Sequence, residues 1–117
     1  MEGNAPVEAV DTTDVPERLL LLPAVDMPRM GRTKGVWCQA VPPLVGQWYG
    51  LCPADYFGRY LVENLPNKVR VGIVNVAVGG IDIRGFMPDS IAGYAATAPD
   101  WMKEKIDGYG GDAYGRL

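Results

Sequence analysis

The chain has 117 residues, 48% hydrophobic and 21% charged, with a formal net charge of −3. That length allows one domain or part of one, and the acidic balance excludes the basic footprint of a nucleic-acid or anionic-membrane binder. There is no histidine and a single serine, Ser90, which excludes a self-contained Ser-His-Asp hydrolase, a His-ligated zinc site and a histidine general base within these residues.

Residues 1–10 carry two glutamates, no basic residue and no continuous apolar stretch, unlike a signal peptide. Residues 3–18 read as a polar surface loop, with one short turn of helix at Pro16-Glu17-Arg18. Leu19 to Val25 is a continuous apolar run, far below the roughly 20 residues that span a bilayer. It reads as a buried strand bounded by Pro23. Residues 26–50 hold three prolines and four glycines: Pro28, Gly31, Gly35, Pro42, Pro43, Gly46 and Gly50 make a long irregular excursion. It carries Trp37, Trp48 and Tyr49. Loops of this length inside a compact domain are uncommon and often functional. Cys38 and Cys52 either close a loop in an oxidising compartment or serve as two buried thiols.

Pro53 suits the first position of a helix, and Ala54 to Asn64 has the helical period. Tyr56, Phe57, Tyr60 and Leu61 are expected on the packed side, with Asp55, Arg59 and Glu63 away from it. Gly58 within the helix costs roughly 1 kcal/mol relative to alanine, which marks close packing against a neighbour. Val69 to Val78 is the strongest strand signal. Its nearly all-apolar, β-branched second half predicts a central strand of a parallel sheet, buried on both faces. It ends in Gly79-Gly80. Residues 81–98 read as loop, and Pro99 to Ile106 as a short helix with Met102 and Ile106 four apart. The tail from Asp107 is glycine-rich. Helix, buried strand and glycine turn make half of a βαβ layer.

Ligands of open α/β sheets sit at the carboxyl ends of strands, and Gly79-Gly80 is such an end. Glycines there either present N–H groups to a developing oxyanion or simply make a tight turn. Asn75 is either a polar core residue or a scaffold for that turn. Trp37, Trp48 and Tyr49 either stack on a sugar ring or anchor their loop. Asp107 to Asp112 is one imperfect copy of a glycine-aspartate calcium turn, a motif that needs repeats. The remaining carboxylates form no acid/base couple.

Four stretches resemble the SASA-type carbohydrate acetylesterases, the sialate O-acetylesterases and acetylxylan esterases of the SGNH hydrolase superfamily. Val74-Asn75-Val76-Ala77-Val78-Gly79-Gly80 is similar to the family's strand ending in the oxyanion-hole glycine. Pro53-Ala54-Asp55-Tyr56-Phe57-Gly58-Arg59 is similar to the helix before it. Trp37-Cys38-Gln39-Ala40-Val41-Pro42-Pro43-Leu44 is similar to the Trp-x-x-Ala-x-Pro-Pro-Leu segment near the active site. Met1-Glu2-Gly3 is similar to the end of the Gly-Gln-Ser-Asn-Met-x-Gly block, in which the nucleophilic serine precedes the methionine.

The resemblance implies an α/β fold, part of a three-layer α/β/α flavodoxin-like domain lacking its first strand and C-terminal part, with residues 1–117 as a single partial domain. It implies one central parallel strand, one or two peripheral strands and two helices. The implied activity is carboxylic ester hydrolysis on an acetylated carbohydrate, without cofactor or metal. It aligns Gly80 with the oxyanion-hole glycine, Gly79 beside it and Asn75 in support. The nucleophile and the histidine are absent from these residues, so the chain alone is expected to be inactive. The alternative is a non-catalytic carbohydrate-binding or interaction module using Trp37 and Trp48. Neither nucleic acid nor membrane is expected as a partner. Family members are commonly exported, and the sequence leaves localisation and oligomeric state open.

Overall fold

The structure is a computed structural model that describes residues 3–108, 110–111 and 114–116. Among these residues it is a mixed α/β protein with a three-stranded sheet and four α-helices. Two compact units divide the chain, residues 1–77 and 78–117.

The first unit opens with a short helix, α1 (Ala9–Thr12). Pro16 to Leu19 forms a hydrogen-bonded turn, not the expected turn of helix. The apolar run then supplies β1 (Leu19–Leu22), in which Leu19 and Leu21 are fully buried and Leu20 and Leu22 half-buried. Period-2 alternation sends the first pair to the core face. Only β2 (Cys38–Gln39) and one turn of 3₁₀ helix (Pro28–Met30) interrupt the long excursion that follows. Side chains give that excursion its shape. Arg32 donates to the carbonyls of Val41 and Pro43, Gln39 Nε2 to Val15 O at 2.7 Å, and Arg29 N to Gln47 Oε1 at 3.0 Å. Burial lowers the Arg32 pKa from its ordinary value, yet guanidinium stays charged and needs such carbonyls.

Helix α2 spans Pro53–Asn64, as the sequence predicts. Asp55 at its third position accepts from Cys52 N at 2.6 Å and satisfies one of the orphan donors of the first turn. Arg18 closes the other end by donating to Pro66 O at 2.9 Å and Val69 O at 3.0 Å, and also to Val62 O. This fixes the turn from α2 into β3 (Val71–Val74).

The sheet order is β2-β1-β3. β1 pairs antiparallel with β2 and parallel with β3, with Leu19 opposite Val71 and Leu22 opposite Val74. Gly58 sits on this sheet so closely that a Cβ would lie 2.5 Å from Ile73 Cδ1 and 2.9 Å from Leu19 Cδ1. The glycine therefore marks the helix–sheet contact. Around it Leu19, Leu21, Ala40, Leu44, Val45, Cys52 and Val62 form the core.

Two expectations are corrected here. β3 is a four-residue edge strand, not a central one running to Val78: Val71 and Ile73 are half-buried, Gly72 and Val74 exposed. Among the described residues it has a strand partner on one side only and α2 on one face, so burial alternates. The packed face of α2 also differs from the expected one. Asp55, Gly58 and Val62 are buried, whereas Tyr56, Phe57 and Tyr60 are exposed; Leu61 is half-buried and Glu63 exposed, as expected. Small residues win the inner face because the helix axis approaches the sheet too closely for rings at those positions.

The second unit contains a turn of 3₁₀ helix (Ile83–Phe86), α3 (Ile91–Thr97), α4 (Asp100–Gly108) and a last 3₁₀ turn (Tyr114–Arg116). Its core is Tyr94, Ala98, Met102 and Ile106, flanked by Ile81, Ile91 and Ala95. α4 follows the prediction. α3 corrects the loop expected over 81–98: Ile91, Tyr94, Ala95 and Ala98 hold the i, i+3, i+4, i+7 spacing of an apolar stripe. Met1 and Glu2 of the resemblance, and Tyr109 and Asp112 of the calcium-turn motif, lie outside the described residues.

Candidate functional site

The glycine pair makes a hydrogen-bonded turn, with Ile81 N donating to Val78 O at 3.3 Å. Gly80 stands third in it with φ +77°, the left-handed value that a type II turn requires and that glycine adopts without strain. Its N–H has no acceptor among the described residues and remains available to a ligand. A Cβ on Gly80 would lie 2.9 Å from Trp101 Cη2. Lys105 Nζ donates to Gly79 O at 3.2 Å and lies 5.6 Å from the Trp101 ring. One face of α4 thus supports the turn through Trp101 and Lys105. Sequence reading missed both residues, although their i, i+4 spacing on a predicted helix puts them on one side.

Asn75 follows β3 in the first unit. Its Nδ2 donates to Cys52 Sγ at 3.2 Å. This joins the end of β3 to the start of α2. Cys38 and Cys52 are free thiols. Burial pushes the Cys52 pKa up, and the hydrogen bond to Asp55 raises it further. A neutral buried thiol is a poor nucleophile. Asp55 Oδ1 is buried without a hydrogen-bond partner among the described residues.

The aromatic loop residues take separate partners. The Trp37 ring lies against Gly72, where a Cβ would come within 2.7 Å of Cη2. Trp48 is 71% exposed, with the Arg29 guanidinium 4.1 Å from its ring centroid. Tyr49 packs on the core cluster as a loop anchor. Ser90 stands at the N-cap of α3, on no strand-to-helix elbow. Among the described residues no group of three or more His, Cys, Asp or Glu could hold a metal ion, and no helix is long and apolar enough to cross a membrane.

No protein-family model matches the chain, and no solved structure matches it.

Proposed function

We propose that this chain carries the oxyanion-turn portion of an SGNH-type carbohydrate acetylesterase, within a three-layer α/β/α domain. The observation that carries the reading is the Val78–Ile81 turn, with a glycine at positive φ and a free N–H following the motif Val74 to Gly80. The parallel β1–β3 pair with α2 before β3 supports it, as does the order of the Trp37–Leu44, Pro53–Arg59 and Val74–Gly80 motifs. In such an enzyme a serine attacks the acetyl carbonyl and a histidine takes its proton. The Gly80 N–H donates to the tetrahedral oxyanion, and removing one such donor typically costs about 10²–10³-fold in turnover. The serine and histidine come from outside these 117 residues.

The purified chain should therefore hydrolyse an aryl acetate no faster than buffer. The coding DNA preceding the Met1 codon should read Gly-Gln-Ser-Asn in frame. An in-frame stop there, or turnover by the chain alone, overturns the reading.

The second reading is a carbohydrate-binding module, favoured by the exposure of Trp48. Calorimetry with acetylated xylan tests it: heat that vanishes in Trp37→Ala or Trp48→Ala supports it, and no heat at millimolar ligand rejects it.

A further inference from the structure

Helix α2 turns its largest rings outward. Tyr56, Phe57 and Tyr60 are 52%, 63% and 64% exposed, whereas small residues take the inner face. Exposed aromatic surface marks a contact site. Phe57 lines the groove between α2 and β3, but the two tyrosines border a concavity of their own: Val10, Tyr56, Arg59, Tyr60 and Glu63 wall an open cleft of about 440 Å³, within the range of small-ligand sites.

The cleft is held in shape through one residue. The Tyr56 hydroxyl donates to Asp11 Oδ1, and Glu8 N donates to the other carboxylate oxygen at 2.8 Å. The Arg59 guanidinium donates to Asp11 O and lies 5.5 Å from the Tyr56 ring centroid. Asp11 itself is buried. Two walls of the cleft are thus anchored on α1 at their tips, which removes the rotamer freedom a ligand would otherwise have to freeze.

We infer that this cleft binds a neutral pyranoside. The rings and Val10 offer apolar surface, Arg59 offers further N–H donors, and the Glu63 carboxylate offers acceptors. A sugar ring has the matching form, with C–H groups on its face and hydroxyls at its rim. The Arg59 and Glu63 charges offset each other, so the lining gives neither an anion nor a cation a net attraction. A wholly apolar ligand would strip water from both charges without replacing their hydrogen bonds. This site is distinct from the Gly79-Gly80 turn and from the Trp37 and Trp48 rings, and it stands whether or not the esterase reading holds.

The test is a backbone-amide NMR titration of the 117-residue chain with xylotetraose, whose equatorial hydroxyls leave both ring faces clear. Shifts should concentrate on α1 and α2. Tyr60→Ala, at an exposed position, should weaken binding about tenfold, and Ile83→Ala, exposed in the second unit, should leave it unchanged. Failure to bind, unchanged affinity in Tyr60→Ala, or shifts confined to the Trp37 and Trp48 loop overturns the inference. So does an aromatic hexapeptide that occupies the cleft when xylotetraose does not.

Discussion

Replacing Gly58 by alanine sets two effects of opposite sign against each other. In a helix interior alanine is favoured over glycine by about 1 kcal/mol. The new Cβ, however, would lie 2.5 Å from Ile73 Cδ1 and 2.9 Å from Leu19 Cδ1. Carbon atoms rest about 3.5–4.0 Å apart, so each neighbour must retreat by roughly 1 Å. Ile73 is half-buried and faces the groove beside α2, lined also by Ala54, Phe57, Leu61 and Val71. Its terminal methyl has room to rotate. Leu19 is 1% exposed within the core and has none. Overpacking of this kind costs about 1–3 kcal/mol, which outweighs the helix gain. Gly58→Ala should destabilise the chain by about 1 kcal/mol, read from the urea midpoint by circular dichroism. Leu19→Val in the same chain should recover part of the loss, so the double mutant should be more stable than the two single effects sum to. A Gly58→Ala chain as stable as the parent, or more so, would show that α2 does not rest on Leu19 and Ile73.

The Asp11–Tyr56 pair limits stability at both ends of the pH range. The Tyr56 hydrogen bond holds the Asp11 pKa below its usual 3.8, so its contribution is present above that value and is lost as pH falls through the lowered one. The same bond raises the Tyr56 pKa above its usual 10.0, so the neutral ring stabilises the fold below that value and the gain is lost as pH rises through the raised one. Asp11→Asn should flatten the acid limb of an unfolding-against-pH profile; an unchanged limb would remove this carboxylate as its source. Gly80→Ala forces a left-handed conformation on a side chain at about 1–2 kcal/mol, and its Cβ meets Trp101. Hydrogen exchange at Met102 and Ile106 should accelerate, and unchanged protection would refute the contact. Val74 is exposed on the open edge of β3, and a lysine there should slow concentration-dependent light scattering; equal scattering would acquit that edge.

Much of the local structure was legible in the residues themselves. Pro53 and the period after it defined α2 to within its observed bounds, the leucine run defined the start of β1, which ends at Leu22 and not at Val25, and Met102 with Ile106 defined the buried side of α4. In each case the signal is local: a missing N–H, a pleat or a 3.6-residue repeat acts within one element. The Gly79-Gly80 turn was legible for the same reason. Its support by Trp101 and Lys105 was not, because nothing in their own segment fixes what they touch. α3 was missed although its stripe was present, since Gly93 and the small residues around it weaken the apolar signal that the period carries.

The sequence by itself determined α2, the start of β1, the Gly79-Gly80 turn and the buried side of α4, the absence of histidine, and the order of the motifs that suggest an esterase. Only the tertiary structure decided which faces of those elements meet. From hydrophobicity alone Tyr56, Phe57 and Tyr60 belong inside α2. The close approach of helix to sheet admits Gly58 there and leaves the rings outside. Likewise the apolar content of Val71 to Val78 speaks for a central strand, but a strand's place depends on how many neighbours pair with it. β3 has β1 alone, and so stands at the edge. Periodicity is a property of one segment, whereas burial is a property of the neighbours that segment finds.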